Sequence, residues 1–298
     1  MGKKGKKAQA GKPKKLTPKD IGKRLDALVK KLEEELKGAD LFAPMPPTED
    51  CPICLVPLSR REDKSFYQAC CGKLICSACA DENKAAVKVI NEKNAAKSKP
   101  LVSNVCPFCR TPNPSSHQEV MLRFEARKSL NDYDAVGCLG HTFYHGRNGQ
   151  TRDDLKALSY FIQATELGSP NTPMDISRYY WDGTSITGNA DRTALFLKVA
   201  ALRGDIQARH NIGFLECRSG KHELGIRHWK IAAEGGSQVS LNQLRDIYNA
   251  DGNHPGKKFI SKDDLDILYR SCHVFKRKSI ARRGRSTGTR RRTNTNAD

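Results

Sequence analysis

The sequence predicts a small cysteine-ligated module followed by an all-α solenoid, with a basic disordered tail at each end. Three observations lead to this organisation. Eight of the eleven cysteines fall between residues 51 and 109. Beyond residue 117, similar segments recur at steps of 36 and then 32 residues. Of the formal net charge of +19, +8 lies in residues 1–37 and +8 in residues 276–298, which leaves the body of the chain nearly neutral.

The N-terminal segment divides into a tail and a helix. Residues 1–16 are mainly Lys, Gly, Ala and Pro, too polar to fold alone. Thr17 is a typical helix N-cap and Pro18 suits the first helical position. Apolar residues then recur at helical spacing and form one stripe. They are Ile21, Leu25, Leu28, Val29, Leu32 and Leu36. Such a stripe needs a partner, either the following module or another chain, and a solvated coil before docking stays an open alternative.

The cysteines have the spacing of metal ligands. Pairs separated by two residues can present both sulfur atoms to one ion, and zinc prefers four ligands in a tetrahedron. Eight thiolates are enough for two zinc ions. We therefore expect zinc, held within residues 48–115, to stabilise a segment too small to bury a sufficient core. The expected ligands are Cys51, Cys54, Cys70, Cys71, Cys76, Cys79, Cys106 and Cys109.

Two of these pairs resemble a RING finger. Cys51-Pro52-Ile53-Cys54 and Cys106-Pro107-Phe108-Cys109-Arg110 are similar to that family's first and last knuckles. The resemblance implies a zinc-stabilised α+β fold with a cross-brace, in which alternate pairs share an ion. Cys51, Cys54, Cys76 and Cys79 would hold one zinc, and Cys70, Cys71, Cys106 and Cys109 the other.

The second of these sets departs from the family. Lys73 stands where many RING fingers have a histidine, and Cys70 is expected to replace that ligand. Adjacent cysteines on one ion require a turn. His117 is an alternative ligand, although an exposed loop histidine is the simpler interpretation.

The resemblance also implies a function. RING fingers position a ubiquitin-conjugating enzyme and supply no catalytic nucleophile, so no catalytic residue is expected. By resemblance Ile53, Pro107 and Arg110 would contact that enzyme, although Ile53 could instead pack between the metal loops and Arg110 could be an ordinary surface residue. The stretch between Cys79 and Cys106 is long, with a helix expected over 82–94, and an aromatic residue common in the family is missing. A non-enzymatic zinc-binding scaffold for protein–protein interaction remains the alternative.

Residues 117–275 contain an internal repeat. The feature that recurs is a short segment that begins with alanine, ends with glycine and lies between two apolar helical segments. These short segments are Ala164–Gly168, Ala200–Gly204 and Ala232–Gly236. A period in the thirties built of two helices indicates an α-solenoid. The segments around Ala135–Gly140, Tyr144–Gly146 and Asp154–Ala157 resemble a Sel-1-like repeat, a family related to tetratricopeptide solenoids. We count three such units and a degraded one near 237–275, with a generic helical bundle as the alternative.

A RING finger joined to Sel-1-like repeats resembles a group of diatom-type algal proteins over residues 41–270. The resemblance implies that the repeats recruit a substrate or partner protein for the ligase. The predicted domains are a basic tail (1–16), a helix and Pro-rich linker (17–47), the RING-type zinc finger (48–115), the repeats (117–275) and an Arg-rich tail (276–298).

Two further expectations concern the cellular location of the protein and its contact with nucleic acid. Neither a long apolar run nor a secretory signal is visible, so we expect a cytoplasmic or nuclear protein with reduced thiols and no membrane partner. The Arg-rich tail could contact nucleic acid phosphates, but a solvated tail is the simpler interpretation.

Overall fold

The computed structural model describes residues 17–58, 65–182, 189–250 and 254–272. These residues are mostly helical, with one small sheet. The elements are α1 (Pro18–Leu36), β1 (Ser65–Gln68), β2 (Lys73–Cys76), α2 (Ser77–Ala95), α3 (His117–Lys128), α4 (Tyr133–His145), α5 (Asp154–Glu166), α6 (Thr172–Asp182), α7 (Ala190–Leu202), α8 (Ile206–Arg218), α9 (His222–Glu234), α10 (Gln238–Asn249) and α11 (262–272). Both basic tails, with the nucleic-acid contacts considered for them, lie outside the described residues.

Helix α1 begins with the predicted cap. The Thr17 hydroxyl accepts a hydrogen bond from the Asp20 N–H at 3.2 Å, and the Asp20 carboxylate accepts one from the Thr17 N–H at 3.3 Å. This capping box satisfies donors that a helix start leaves unpaired. The helix ends at Leu36, and Gly38 follows with a φ of +75°.

The partner of the apolar stripe is the repeat region of the same chain, and not the following cysteine module or another chain as the sequence suggested. Helix α1 packs against α5 and α7, and its buried residues share one core with Phe161, Phe196 and Val199. The buried residues of the stripe are Ile21, Leu25, Leu28, Val29 and Leu32. Because this face is covered by the second helices of two repeats, α1 belongs to the folded repeat region.

Three ion pairs border this contact. Arg24 on α1 pairs with Glu166 of α5 at 3.3 Å. Asp26 pairs with Arg192 at 2.7 Å and Glu35 with Arg203 at 2.9 Å, both on the α7 side. Helix α1 contributes one positive and two negative charges and the repeats contribute the opposite ones, so the three pairs favour one register of α1.

The repeats are consecutive helix pairs. Helix α4 packs on α5, α6 on α7 and α8 on α9, and each second helix also packs on the first helix of the next pair. Leu268 and Cys272 of α11 share a core with α9 and α10. In the part of the chain that the structure describes, this serial packing gives four pairs in which each helix contacts its neighbours along the sequence.

One turn recurs between the pairs. Gly168, Gly204 and Gly236 have φ values of +93°, +100° and +99°. After each glycine the next N–H bonds at 2.9 Å to the carbonyl of the small residue four positions before the glycine, Ala164, Ala200 or Ala232. Only glycine adopts this left-handed conformation at little cost, which explains why the sequence repeats it. Each of these glycines thus turns the chain into the next helix pair.

Within two pairs the helices approach through glycine. A Cβ at Gly140 would lie 2.5 Å from the ring of Phe161, and one at Gly213 would lie 2.6 Å from Trp229 and 2.9 Å from the Gly225 carbonyl. A larger residue cannot occupy either position without separating the helices.

Among the described residues, no helix combines the length and apolar character needed to cross a membrane.

Candidate metal centre

The cysteine module is built from two turns, one hairpin and one helix. Strands β1 and β2 pair antiparallel, with Ser65 opposite Cys76 and Gln68 opposite Lys73. The turn between them carries Cys70 and Cys71, and the end of β2 leads directly into α2. The eight cysteines form two groups, in each of which all sulfur atoms lie within 4.8 Å of one another. The groups are Cys51, Cys54, Cys76 and Cys79, and Cys70, Cys71, Cys106 and Cys109.

The sulfur distances fit a tetrahedral ion. Four sulfurs at about 2.3 Å from zinc would lie about 3.8 Å apart. The Sγ atoms of Cys54 and Cys76 are 3.7 Å apart, and those of Cys71 and Cys106 are 4.0 Å apart. Cys70 and Cys109 approach to 3.4 Å, and the described part of the chain contains no disulfide. Both groups could therefore hold a metal ion.

Two knuckles share one backbone geometry. In the first, the Leu55 N–H bonds to the Cys51 carbonyl at 2.8 Å, and Leu55 has a φ of +55°. In the last, the Arg110 N–H bonds to the Cys106 carbonyl at 3.0 Å, and Arg110 has a φ of +64°. A non-glycine residue with positive φ is uncommon and indicates a constrained turn. Here it folds each Cys-x2-Cys segment so that both thiols face the same point.

The adjacent cysteines lie in the turn that their placement requires. The N–H groups of Cys71 and Gly72 both bond to the carbonyl of Gln68, at 3.1 and 2.8 Å, and Gly72 has a φ of +69°. This tight turn brings Cys70 and Cys71 into one group, which extended backbone could not do.

His117 lies at the start of α3, where its ring approaches Gly149, and is not part of either group.

Local hydrogen bonds favour the thiolate form at some of these positions. Although burial raises the pKa of Cys51, backbone N–H groups that include that of Cys76 lower it to about 7. A hydrogen bond with the Thr111 hydroxyl at 3.2 Å lowers the pKa of Cys109 to about 6. Burial raises the pKa of Cys71 to about 11. A cation between these sulfurs would favour their deprotonation together, since metal ligands bind as thiolates.

Helix α2 spans Ser77–Ala95 and is longer than the helix expected over 82–94. Asparagine side chains on α2 bind the segment that leads from this helix to the last knuckle. Asn83 donates to the Val105 carbonyl at 3.0 Å. Asn91 donates to the Val102 carbonyl at 3.0 Å and accepts from its N–H at 2.7 Å, as a neighbouring strand would. These amides orient Cys106 relative to Cys79. This role is not evident from the sequence, although Asn recurs along the helix at positions 83, 91 and 94.

The residues expected to contact a conjugating enzyme lie on the two similar knuckles. Ile53 is 40% exposed, Pro107 is half-buried and Arg110 is exposed. Leu55 and Phe108, on the same knuckles, are also exposed. The turns therefore present apolar side chains to solvent beside the metal ligands.

Two of the solved structures to which this chain is similar contain Sel1-type repeats. A Sel1 repeat protein from Oxalobacter formigenes aligns with a TM-score of 0.46 and 20% identity, over 53% of this chain and 64% of that chain. The protective antigen c5321 of uropathogenic Escherichia coli, which displays an SLR fold, aligns with a TM-score of 0.44 and 18% identity, over 53% of this chain and 34% of the antigen. This chain thus spans less than two thirds of either protein. No family model and no curated protein matches the chain.

Proposed function

We propose that the protein is a zinc-binding scaffold for protein–protein interaction, in which two zinc ions fold a docking module attached to Sel-1-like helix pairs. The observation that carries this proposal is the pair of four-cysteine groups, whose members alternate along the chain. Cysteines 51 and 54 belong with 76 and 79, while the intervening 70 and 71 belong with 106 and 109. Two interleaved sites close a small module that has little core of its own.

Zinc is the metal that fits this donor set best. Four thiolates in a tetrahedron are typical of structural zinc, and soft sulfur ligands disfavour magnesium and calcium. Each site already has four protein ligands, so neither leaves a position for a substrate or an activated water. The metal would therefore contribute folding free energy, and the function of the module would lie in the surface that it shapes.

The helix pairs would supply a second surface. Because α1 covers the second helices α5 and α7, we place the partner surface on the first helices of the pairs. Trp181 on α6, Phe214 on α8 and Val239 on α10 are large exposed apolar residues on three successive first helices. Side chains of this kind provide much of the binding energy in protein interfaces.

A partner-binding measurement tests the scaffold. The full chain would be used as bait to recover partners, and the dissociation constant of each would be measured with purified components. Trp181→Ala with Phe214→Ala should weaken binding at least tenfold. Ile267→Ala, an equally exposed residue on the second helix α11, is the matched control and should have no effect. If no recovered partner distinguishes these variants, the first helices are not the binding surface.

The second candidate function is a RING-type ubiquitin ligase. It is favoured by the exposure of Ile53 and Arg110 on the two knuckles, where the family binds a conjugating enzyme. A guanidinium suits the bridging of two protein surfaces because it is planar and carries several donors. In this function the module would position the conjugating enzyme, and the repeats would hold the substrate.

An autoubiquitination assay separates the two functions. The purified zinc-loaded chain would be incubated with a broad panel of conjugating enzymes. Ubiquitin chains that disappear in Ile53→Ala or Arg110→Ala, with zinc content unchanged, would establish a ligase. Ile267→Ala, an exposed apolar residue on α11, serves as the control that should retain activity. No chains with any enzyme of the panel would leave the scaffold as the function.

A further inference from the structure

One carboxylate joins the cysteine module to the first repeat. Asp132 is the N-cap of α4, and its Oδ1 accepts hydrogen bonds from the N–H groups of Asp134 and Ala135 at 3.1 and 3.2 Å. Its Oδ2 accepts from the Tyr67 hydroxyl at 2.8 Å and from Nε and Nη2 of Arg127 at 2.9 and 2.7 Å. Only 12% of this side chain is exposed. Three elements, β1, α3 and α4, therefore meet on a single group.

The same network reaches the turn that carries two of the cysteines. The Arg127 guanidinium lies directly against Gly72, where an added Cβ would be 1.7 Å from Nη2 and 2.8 Å from the Asp132 Oδ2. Gly72 follows Cys71, and Tyr67 lies on the strand that ends in this turn. The Tyr67 ring also packs on Phe124 of α3, with centroids 6.3 Å apart.

We propose that Asp132 is a positioning residue for the second metal group, Cys70, Cys71, Cys106 and Cys109, and that metal binding there is coupled to the start of the first repeat helix. The inference rests on the proposed binding of zinc. Asp132 holds Arg127 against Gly72 and thus fixes the turn that presents Cys70 and Cys71. By linkage, a metal that closes this turn also holds the network at the N-terminus of α4.

The expected effect is selective. Outer groups that orient metal ligands commonly change affinity by about 10- to 100-fold. We expect Asp132→Asn to weaken one of the two zinc sites about tenfold and leave the other unchanged. Asparagine can still cap α4, since its side-chain oxygen accepts from the backbone, but its amide cannot accept from Tyr67 and Arg127.

The experiment is a zinc competition titration of the full chain against a chelator of known affinity. Asp153→Asn changes the N-cap of α5, which bonds the Lys156 N–H at 2.9 Å, and is the matched control. In a Cys109→Ser background, which impairs the second site, Asp132→Asn should no longer alter zinc affinity. Tyr67→Phe removes one hydrogen bond and keeps the ring, so it should produce a smaller loss at the same site. It also tests the idea should Asp132→Asn fail to fold.

A second measurement examines the reciprocal effect. Hydrogen exchange at the amides of Ala135 and Val136 should accelerate when Cys109→Ser impairs the second site, and should not change with Cys54→Ser in the first. Two bound zinc ions with unchanged affinities in both Asp132→Asn and Tyr67→Phe would overturn the coupling and leave the proposed function intact. A wild-type chain without zinc would overturn both.

Discussion

Truncation of Leu32 tests the docking of α1 on the repeats. Leu32 is 0% exposed and lies in the core that α1 shares with α5 and α7. Leu32→Ala removes three carbons, and the transfer term alone amounts to about 2 kcal/mol. The unfilled cavity adds to this, so we expect a loss of about 3–4 kcal/mol in the free energy of unfolding.

The assay is urea unfolding followed by circular dichroism, because the chain is mostly helical. Lys31→Ala changes the neighbouring exposed residue and should stay within about 0.5 kcal/mol of the wild type. Because α1 docks within its own chain, the midpoints should not depend on protein concentration. A loss below about 0.5 kcal/mol for Leu32→Ala, or a midpoint that rises with concentration, would refute docking in the same chain.

Three other changes probe burial and close packing. Burial lowers the pKa of His228 to about 4, below that of the unfolded chain, so the stability it confers is complete above about pH 6.5 and is lost as pH falls. Between pH 7 and pH 5 the wild type should lose about 1–2 kcal/mol more of its free energy of unfolding than His228→Gln does. A difference between the two proteins that does not change with pH would contradict this. Burial raises the pKa of Asp134 to about 7, above its unfolded value, so folding is increasingly disfavoured as pH rises from about 4 to 7. Asp134→Asn should stabilise the chain by up to about 4 kcal/mol at pH 8 and by little at pH 4, as thermal unfolding would measure, whereas equal effects at both pH values would exclude an ionisation origin. Gly213→Ala should destabilise by about 1–3 kcal/mol because its Cβ would collide with Trp229, while Gly22→Ala, with nothing within 4 Å, should stabilise by up to about 1 kcal/mol. Stabilisation by Gly213→Ala would mean that the helices do not approach so closely.

The features predicted best were those with a local cause. The cap at Thr17 and the turns at Gly168 and Gly204 depend on backbone chemistry within a few residues, and the structure has them where the sequence indicates. The spacing of the cysteines indicated eight ligands for two ions, and the RING resemblance implied their division into two groups of four. The need for a turn between Cys70 and Cys71 could be stated, but its construction from the Gln68 carbonyl could not.

The features that escaped prediction depend on distant contacts. The apolar stripe of α1 predicts that the helix packs on a partner, but it does not identify the partner, because any apolar groove could accept such a stripe. The role of Asp132 is equally hidden: an N-cap aspartate looks the same whether or not Tyr67 and Arg127 converge on its second oxygen. Similarly, the amide bonds of Asn91 to Val102 join residues 11 apart through a geometry that no spacing rule describes.

The proposed function depends on eight thiolates that hold two structural zinc ions, and the metal content of the protein measures this directly. Elemental analysis of the reduced, natively purified chain should find two zinc ions per chain. Cys54→Ser and Cys109→Ser should each reduce this to about one, since each removes a ligand from a different group, whereas Cys217→Ser, outside both groups, should retain two. A wild-type chain that is folded yet contains no stoichiometric metal would contradict the account.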